Sequence, residues 1–374
     1  MEIDLGGKEV HGDHNVIMTL EIIDVTKSFR SFTVGPLNLS IDNSIMVVLG
    51  PTGSGKTTLI NLIAGILSPD NGKIVLDGLD ITKTPTESRK VGYVFQDSTL
   101  FPHLSVLQNI LFGLTRKEVQ NEERLRMVTG IIEDLGLNDL LNRKIGGLSG
   151  GELQKVSLAQ MLVTTPRIIL LDEPLSHLDP PTRDKLRIEL RGILKKQRVP
   201  TIYVTHFEED VLALADSVAI LNTGKLEGTG DLEHILNTSQ STPSFLSQVT
   251  SGANYIAGQV VKSENGLTSF KTGPHIFNTL GEFPIGTRIG VIVRREEIIL
   301  SKEKIKTSAR NILYVQVVDI IQVSNLVDIR LRVDGLEVVS RITKSAMEDL
   351  GISLHDHIYA IFKAFAPHLV REEN

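Results

Sequence analysis

One stretch of eight residues decides the fold of this chain: Gly50-Pro51-Thr52-Gly53-Ser54-Gly55-Lys56-Thr57. It follows the pattern G-x-x-x-x-G-K-[S/T], between an apolar run at 45–49 that predicts a buried strand and a run from Thr58 that predicts a helix. Glycines let such a loop turn tightly, so that backbone N–H groups and the helix N-terminus converge on a polyphosphate. The sequence therefore predicts a nucleoside-triphosphate site, in which Lys56 reaches the β- and γ-phosphates and Thr57 holds Mg²⁺.

A second stretch supplies the carboxylates that such a site needs. Residues 168–171 are apolar and predict a buried strand, and Asp172 and Glu173 follow at its end. At that position Asp172 can hold Mg²⁺ through its water shell, and Glu173 can orient or deprotonate the attacking water. A buried strand that ends in acidic residues is common by itself. Its combination with the Gly-rich loop predicts a hydrolytic site.

The composition is that of an ordinary globular protein. The chain has 374 residues, of which 41% are hydrophobic and 22% charged, and that length predicts about two or three domains. No apolar run approaches the ~20 residues that cross a bilayer, so no membrane span is expected. The formal net charge of −6 argues against broad nucleic-acid binding, which needs a basic face. The absence of cysteine excludes disulfides and cysteine-ligated metals.

The order of predicted elements indicates an α/β domain followed by an all-β domain. Between residues 20 and 245, strand-like runs alternate with helical ones, which indicates a largely parallel sheet covered by helices. A Ser- and Thr-rich segment at 238–252 predicts a linker, and the period-two strands beyond it predict small β-barrels. We therefore expect a loose extension at 1–18, a nucleotide-binding domain at 19–247 and a β-barrel domain at 253–374.

Three local patterns give further expectations. A helical run at 118–135 predicts one continuous helix, and an alternating run at 288–300 predicts one strand. The runs at 289–294 and 358–363 both pass through an apolar strand to a basic residue. This weak internal echo favours two related barrel units.

A glycine pair follows Ser149 at the start of another predicted helix, in the segment Leu148-Ser149-Gly150-Gly151-Glu152. Ser149 with Glu152 three residues later predicts a capping box. Glycine is a poor helix former, so another group must approach this backbone closely. With this segment the chain resembles the ATP-binding-cassette (ABC) ATPases, whose signature motif reads L-S-G-G-[Q/E], and the resemblance covers about residues 20–245.

Further motifs of that family recur in the family's order. Gln96 matches the glutamine loop that senses Mg²⁺ and the membrane partner, residues 176–179 match the D-loop, and His206 matches the switch histidine at the γ-phosphate. Phe29 matches the aromatic residue that stacks on adenine, with Phe32 as a competing candidate. Gln160 stands where the family usually has arginine, a departure that concerns an interdomain or helix-surface contact and not the catalytic set.

The resemblance implies an ATP site with Mg²⁺ as cofactor and an α/β P-loop NTPase fold of the ABC type. It implies catalytic roles for Lys56, Gln96, Glu173 and His206, and metal contacts for Thr57, Gln96 and Asp172. The nucleotide-binding residues that it implies are Phe29, Gly50, Pro51, Thr52, Gly53, Ser54, Gly55, Lys56, Thr57, Thr58, Ser149, Gly150, Gly151 and Asp179.

The same resemblance implies partners. Two copies of the chain are expected to pair head to tail, so that Ser149 and Gly151 of one copy complete the phosphate site around Lys56 of the other. This homodimer is expected to bind two transmembrane permease subunits at the cytoplasmic face of the membrane, with an extracytoplasmic solute-binding protein as an indirect partner. The apolar loop at 100–104 suits docking of a short permease helix, and internal packing is the alternative.

The end of the chain resembles the molybdate-binding barrel of molybdate and tungstate importer ATPases, over about residues 307–370. A tetrahedral oxyanion needs hydroxyl, amide and basic donors. The candidates that the resemblance implies are Ser308, Arg310, Asn311, Thr343, Lys344, Ser345 and Lys363. A purely structural barrel is the alternative, because Ser345 with Glu348 forms a capping-box pattern, and Arg310 and Asn311 can fix a turn.

These features predict a P-loop ATPase domain followed by an all-β, OB-like barrel domain, acting as the ATP-hydrolysing subunit of a molybdate or tungstate importer. Molybdate or tungstate bound to the barrels is expected to inhibit the ATPase by feedback. Within the same class, the alternative is an importer for sulfate, sugar, iron or polyamine. Outside it, the alternative is a soluble ABC ATPase that acts on DNA or ribosomes.

Overall fold

The structure is a computed structural model that describes residues 18–96, 99–232, 253–364 and 368–373. The expected extension up to residue 17 and the expected linker at 238–252 lie outside the described residues. Within the described ranges, no helix is long and apolar enough to cross a membrane.

The N-terminal domain contains ten strands and seven helices among its described residues. The strands are β1 (Leu20–Ser28), β2 (Thr33–Ile41), β3 (Ile45–Leu49), β4 (Asn71–Leu76), β5 (Leu79–Asp80), β6 (Val91–Val94), β7 (Ile168–Asp172), β8 (Thr201–Thr205), β9 (Ser217–Asn222) and β10 (Lys225–Asp231). The helices are α1 (Lys56–Ala64), α2 (Val106–Leu111), α3 (Arg116–Val119), α4 (Glu122–Asp134), α5 (Gly150–Leu162), α6 (Pro180–Gln197) and α7 (Glu208–Leu214).

The central sheet has the strand order β10-β9-β3-β8-β7-β6, and only β10 runs antiparallel to its neighbour. Strands β3, β7 and β8 are buried at every residue, as expected for a parallel sheet with both faces covered. The predicted parallel sheet is therefore confirmed. A second, antiparallel sheet of order β2-β1-β4-β5 was not predicted from the alternation of strands and helices.

Two hydrophobic cores lie on opposite faces of the central sheet. Val47 of β3 faces the core that α2 and α4–α7 help to form. Its neighbour Val48 faces the core shared by α1 and the antiparallel sheet, because successive side chains of a strand point to opposite faces. The helix that follows the Gly-rich loop is thus held between two sheets.

The predicted helix at 118–135 is wrong in its continuity, because two helices occupy this region. Thr115 caps α3 in a capping box with Glu118, and the Asn121 side chain accepts the Arg124 N–H and caps α4. Asn favours helix N-caps over helix interiors, so Asn121 begins a new helix within an otherwise helical run.

Among its described residues, the C-terminal domain contains ten strands and one α-helix. They are β11 (Ala253–Glu264), β12 (Leu267–Thr272), β13 (His275–Leu280), β14 (Arg288–Arg294), β15 (Ile299–Ser301), β16 (Asn311–Val323), β17 (Leu326–Val333), β18 (Leu336–Thr343), α8 (Lys344–Leu350), β19 (His357–Phe362) and β20 (His368–Glu373). The predicted strand at 288–300 is interrupted by a 3₁₀ turn at Arg295–Glu297, which separates β14 from β15.

The C-terminal strands form two five-stranded sheets with the same internal plan, β13-β12-β11-β14-β20 and β18-β17-β16-β19-β15. In each, a long strand pairs with a hairpin on one side and with a returning strand on the other. The strand after the returning strand crosses to the other sheet. After β14 of the first sheet, the chain forms β15 at the edge of the second sheet; after β19 of the second sheet, it forms β20 at the edge of the first. Because β14 and β19 are the two strands of the internal echo, the prediction of two related units is confirmed. Each sheet is curled into a half-barrel.

Two buried asparagines join the units in equivalent ways. Asn254 at the start of β11 donates to the Val339 carbonyl at 2.9 Å and accepts the Val339 N–H at 2.5 Å. Asn311 at the start of β16 donates to the Asn278 carbonyl at 3.0 Å and accepts the Asn278 N–H at 2.7 Å. Val339 lies on β18 and Asn278 on β13, which are equivalent strands. Each long strand is therefore fastened to the outer hairpin of the other unit.

The first C-terminal unit also contacts the N-terminal domain. Ile292 of β14 belongs to the core beside α7, and Tyr255 of β11 packs against the same core. Arg294 lies 3.5 Å from Glu209 of α7. The helix that follows His206 in sequence thus touches the C-terminal domain.

Candidate functional site

Four neighbouring parallel strands bring the predicted catalytic residues to one edge of the sheet. The Gly-rich loop follows β3, His206 follows β8, Asp172 and Glu173 lie at the end of β7, and Gln96 comes two residues after β6. Since these strands are adjacent and parallel, their carboxyl ends meet at the same edge, where ligands bind in open α/β sheets. The fold therefore brings together residues that are up to 150 positions apart in the sequence (Lys56 to His206).

The Gly-rich loop presents mainly backbone to this edge. Gly53 and Gly55 adopt φ angles of 82° and 103°, which residues with a side chain adopt only under strain. A Cβ atom at Gly50 would lie 2.1 Å from the Leu221 carbonyl oxygen. Ser54 Oγ is buried and has no hydrogen-bond partner among the described atoms. This cradle of backbone and one unsatisfied hydroxyl is suited to an oxygen-rich ligand.

Lys56 is held inside the loop as the first residue of α1. Its Nζ donates to the carbonyl oxygens of Gly50 at 2.7 Å and of Pro51 at 3.0 Å, and the residue is 5% exposed. Burial lowers the pKa of the ammonium group, while the carboxylates of Glu173 and Asp172 oppose that change. An ammonium group has three donors, so one remains for a phosphate oxygen beyond these two bonds.

Asp172 is a buried carboxylate whose partners are hydroxyl groups. Its Oδ1 accepts from Thr57 Oγ1 at 3.3 Å, and its Oδ2 accepts from Tyr93 OH at 3.4 Å. Burial raises the pKa of this carboxyl and the charge of Glu173 adds to the rise, although the Thr57 hydrogen bond opposes it. The residue is 4% exposed, and a cation beside it would offset the cost of its burial. The donor set of Thr57 and Asp172 therefore fits a hard divalent cation.

Glu173 and His206 contact each other directly. The Nδ1 atom of His206 lies 3.0 Å from Oε2 of Glu173. Glu173 has a φ of 45°, a left-handed conformation that costs about 1–2 kcal/mol for a residue with a Cβ atom, and its N–H donates to the Val204 carbonyl at 3.0 Å. Such strain is commonly found at functional sites. The turn after β7 thus fixes the carboxylate beside the imidazole.

The two aromatic candidates for adenine stacking differ in exposure. Phe29 is 44% exposed, whereas Phe32 is partly buried against the core below α1. The Phe32 ring also lies beside Gly55, 3.5 Å from where a Cβ atom would be. Phe29 is the freer of the two to contact a ligand, and its stacking role stays a prediction. Gln96 is exposed at the end of its strand.

The predicted capping box at Ser149 is confirmed. Ser149 caps α5, and the Glu152 carboxylate accepts the Ser149 N–H at 2.7 Å, which lowers the pKa of Glu152. Cβ atoms at Gly150 and Gly151 would lie 3.2 Å from Leu178 and 2.8 Å from Thr182. The groups that approach the glycine pair in this chain are therefore those around the start of α6.

Asp179 caps α6, where its carboxylate accepts the Thr182 N–H at 3.2 Å. This backbone hydrogen bond lowers the pKa of Asp179. The carboxylate is exposed, and its predicted contact with nucleotide stays a prediction.

A cavity of about 310 Å³ opens between β6, α2 and α5, and its walls include Phe95, Phe101, Phe112 and Gln160. Phe112 is 58% exposed and stacks on Phe101 at a centroid distance of 4.2 Å. Gln160 donates from Nε2 to the Asn109 carbonyl at 3.0 Å, so the residue that departs from the family pattern closes one wall. In the loop at 100–104, Leu100 is buried in the core and Phe101 lines the cavity.

The oxyanion candidates fall into two groups at different ends of the second C-terminal sheet. Asn311, at the start of β16, pairs with Phe362, which places Ser308, Arg310 and Lys363 near that end. Thr343 pairs with Leu326, beyond the far end of β16. The strand between the two ends is 13 residues long, about 40 Å when extended. The two groups of oxyanion candidates therefore lie at opposite ends of β16.

Several of these candidates have structural roles. Asn311 uses its amide to join the two units, as described above. Thr343 accepts the Ala346 N–H at 3.2 Å and caps α8, so the expected capping box of Ser345 and Glu348 is wrong. Ser345 lies one residue inside the helix, because α8 begins at Lys344. The exposed side chains of Ser308, Arg310, Lys344, Ser345 and Lys363 keep their oxyanion role as a prediction.

Arg89 is a buried residue of this domain that the sequence did not reveal. Its guanidinium donates to the carbonyls of Leu62 and Ile63 in the last turn of α1 at 2.9 and 2.8 Å, and to Thr82 and Thr84 at 2.9 and 2.7 Å. It therefore stabilises the end of the helix that carries Lys56 and Thr57. All of these partners are backbone carbonyls, which leave no pattern in the sequence.

Comparisons with known proteins agree with this geometry. The ABC transporter profile matches residues 35–176, and the TOBE domain profile matches residues 307–369. The molybdate/tungstate import ATP-binding protein WtpC of Pyrococcus horikoshii is 36% identical over 351 residues, which cover 94% of this chain and 99% of that protein. The chain belongs to the ATP-binding proteins of ABC transporters.

Two other members of this family are informative. A sulfate/thiosulfate import ATP-binding protein of Chromobacterium violaceum is 36% identical and covers 85% of each chain. The crystal structure of a nucleotide-free ATP-binding cassette from an ABC transporter is 25% identical, with a TM-score of 0.54 over 62% of this chain and 98% of that one. The P-loop fold of the N-terminal domain and the β-rich C-terminal domain are therefore confirmed, and ATP is the nucleotide of this family.

Proposed function

We propose that this chain is the ATP-hydrolysing subunit of an importer for molybdate or tungstate. The observation that carries the proposal is the extent of the similarity to WtpC of Pyrococcus horikoshii, which includes the C-terminal domain as well as the ATPase domain. A molybdenum import ATP-binding protein of Pasteurella multocida is also 33% identical over 87% of this chain. ATP hydrolysis by a family member of this kind supplies the free energy for transport.

The residues at the sheet edge support hydrolysis by positioning and charge. In the proposed site the backbone of residues 50–58 binds the phosphates, and Lys56 neutralises the β- and γ-phosphate oxygens. Glu173 holds and deprotonates the attacking water, and His206, whose Nδ1 lies 3.0 Å from Glu173 Oε2, contacts the γ-phosphate. Phe29 stacks on the adenine from the exposed end of β1.

Thr57, Asp172 and Gln96 are the proposed ligands of Mg²⁺. Bound there, the cation would neutralise developing charge on the phosphates. The fit rests on the buried Asp172 carboxylate, whose hydrogen-bond donors among the described residues are the hydroxyl groups of Thr57 and Tyr93. Thr57 and Asp172 are already in contact, so their oxygens are placed on one side of the site before the ligand arrives.

The proposed assembly is a homodimer on the cytoplasmic face of two permease subunits, with a solute-binding protein outside the membrane. The exposed Ser149 and Gly150, at the start of α5, would cover the phosphates of the partner copy. The aromatic cavity around Phe101 and Phe112 would receive a short helix of the permease. The import ATP-binding proteins that resemble this chain imply such a membrane partner.

Sulfate import is the second candidate, because the Chromobacterium violaceum relative is as similar in percentage identity over a somewhat smaller part of the chain. Uptake of radioactive molybdate, tungstate and sulfate into proteoliposomes, containing this chain with its co-purified permease and binding protein, separates the two. We expect ATP-dependent uptake of molybdate or tungstate but not sulfate, and none with the Glu173→Gln variant. Uptake of sulfate alone would replace the proposed cargo without affecting the ATPase assignment.

Feedback by the cargo anion is a further part of this proposal. The exposed polar groups at both ends of the second C-terminal sheet would bind the anion in the assembled dimer, with a coupling of about 1–3 kcal/mol to the nucleotide sites. ATPase activity of the whole transporter, measured with and without saturating molybdate, tests it. Inhibition that disappears in an Arg310→Ala, Lys344→Ala variant is the expected result, and unchanged activity in the wild type would refute it.

A further inference from the structure

The ring of Phe207 contacts both a guanidinium group and the imidazole of His206. The Cζ atom of Arg183 is 4.2 Å from the centre of the Phe207 ring, within the range of a cation–π contact. The ring centroid of Phe207 also lies 4.0 Å from the ring centroid of His206, and the two ring planes are inclined at 37°. Phe207 is partly buried, and none of the roles described above uses its side chain.

Arg183 connects this stack to the turn before α6. Its Nη2 donates to the Leu178 carbonyl at 2.8 Å and lies 3.4 Å from the Ser176 carbonyl. Ser176 Oγ in turn donates to the Glu173 carbonyl at 2.8 Å. The turn at 176–179, which begins three residues after Glu173, is thus tied to Arg183, and Arg183 is stacked on Phe207.

The backbone of Phe207 is fixed independently of its ring. The Phe207 N–H donates to Thr205 Oγ1 at 3.0 Å, and that hydroxyl donates to Asp210 at 2.7 Å. Asp210 is 1% exposed, and it also accepts from Tyr203 OH at 3.1 Å and pairs with Arg187 at 2.8 Å. A change of the Phe207 side chain therefore leaves the hydrogen bonds that hold this backbone in place. It removes only the contacts of the ring.

We propose that Phe207 is a positioning residue for ATP hydrolysis: its ring, held by Arg183, keeps the His206 imidazole in the orientation that contacts Glu173 and the γ-phosphate. This inference rests on the proposed role of His206. According to this inference, the turn at 176–179 influences the orientation of the imidazole in the same chain, because Arg183 contacts both the turn and the Phe207 ring. The contribution is expected in the rate of hydrolysis and not in the affinity for ATP, because no contact of Phe207 reaches the Gly-rich loop among the interactions the structure describes.

The test compares steady-state ATP hydrolysis by the purified full-length chain and its Phe207→Leu, Phe207→Tyr and Phe207→Ala variants. Leucine keeps an apolar group of similar size without the aromatic face, and tyrosine keeps the face. We expect Phe207→Leu to lower kcat about three- to tenfold, with KM for ATP within about twofold of wild type, and Phe207→Tyr to restore kcat. Phe283→Leu, which removes a partly buried ring of the C-terminal domain, is the matched control and should leave kcat unchanged.

A double-mutant cycle with Arg183→Met separates positioning from a general structural effect. If Arg183 acts through the ring, the double variant Arg183→Met, Phe207→Leu has a kcat no lower than that of the worse single variant. Multiplicative losses, a wild-type kcat for Phe207→Leu, or a tyrosine variant as slow as leucine would overturn the inference. Thermal unfolding of each variant shows whether a loss of kcat follows a loss of folded protein, which would also count against it.

The His206→Ala variant distinguishes failure of this inference from failure of the proposed site. If His206→Ala is inactive while Phe207→Leu is fully active, only the role of Phe207 is wrong. If His206→Ala retains wild-type kcat, the proposed role of the imidazole is wrong and the inference falls with it.

Discussion

Asp216 ties three segments of the N-terminal domain together. Its carboxylate accepts the Ile45 N–H at 2.9 Å at the start of β3, and it pairs with Arg191 at 3.0 Å and Lys195 at 2.6 Å on α6. Burial alone would raise the pKa of this group, but the hydrogen bond from Lys195, that from Ile45 and the charge of Arg191 outweigh it and lower the pKa below its ordinary value. A carboxylate with a lowered pKa stabilises the folded state above its ordinary pKa, and the stabilisation is lost as the pH falls through the folded-state value.

We therefore predict that Asp216→Asn lowers the free energy of unfolding by about 1–3 kcal/mol at pH 7, because two cations lose their partner. The difference from wild type should shrink as the pH falls below about 4, because Asp216 takes up a proton in the unfolded chain before it does so in the folded one. Urea unfolding followed by circular dichroism at both pH values measures it. Asp139→Asn, an exposed carboxylate, is the control and should stay within about 0.5 kcal/mol of wild type. A difference that does not depend on pH would contradict the argument.

The residues that could be predicted from the sequence are those whose roles leave a local pattern. Asp172, Glu173 and His206 stand at the ends of buried runs, and Lys56 closes the Gly-rich loop that follows another, so their positions were visible. Arg89 and Phe207 were not predicted, because their partners are backbone carbonyls or side chains from distant segments. Their contacts depend on the packing of the finished fold.

At the scale of elements, the sequence showed where strands occur but not how they pair. The period-two pattern beyond residue 253 predicted an all-β domain, yet it joined β14 and β15 into one strand and carried no information about the exchange of β15 and β20 between the two sheets. Each sheet receives its edge strand from the other unit, and Phe277 stacks on Phe362 across the shared core at 6.1 Å. Pairing between distant strands is decided by the packing of both sheets together, and so the prediction of small β-barrels did not include the division into two half-barrels.

This exchange predicts that the two C-terminal units fold only together. A fragment of residues 253–374 should fold cooperatively, whereas a fragment of residues 307–374 lacks β15 and the Asn278 backbone that pairs with Asn311. It would also expose the apolar face that Phe277 covers. Dispersed amide signals in NMR spectra and a cooperative thermal transition are expected for the longer fragment alone. A well-folded 307–374 fragment would show that the second unit is independent.

The hydrogen bonds of Asn254 and Asn311 between the two units can be tested by single substitutions in the fragment of residues 253–374. Asn254→Ala and Asn311→Ala should each lower the free energy of unfolding by about 1–3 kcal/mol, because each removes two hydrogen bonds to a partly buried backbone N–H and carbonyl. The larger loss is expected at Asn254, which also donates to the Val293 carbonyl at 3.1 Å. A loss at one position only would indicate that the units are not held together symmetrically.

At the scale of the whole molecule, the site at the sheet edge is open where the proposed partner copy would cover it. Lys56, Glu173 and His206 lie on the same edge within one chain, while the Ser149 segment packs against the start of α6. In the proposed head-to-tail dimer, each nucleotide is bound by Lys56 and Glu173 of one copy and by Ser149 of the other. Substitutions on the two sides of this shared site should therefore complement each other, and substitutions on the same side should not.

We predict that the full-length Lys56→Ala and Ser149→Arg variants are each inactive as ATPases but recover activity when mixed. Random exchange of subunits makes about half of the dimers mixed, each with one intact site, so the mixture should reach up to about a quarter of wild-type activity. A mixture of Lys56→Ala with Glu173→Gln is the matched control, because every site of its mixed dimers lacks either Lys56 or Glu173, and it should stay inactive. Energy transfer between fluorescent labels on the two variants measures how far their subunits have exchanged. If labelled subunits exchange and the first mixture stays inactive, or if Ser149→Arg alone hydrolyses ATP at the wild-type rate, the nucleotide site does not include Ser149 of a second copy.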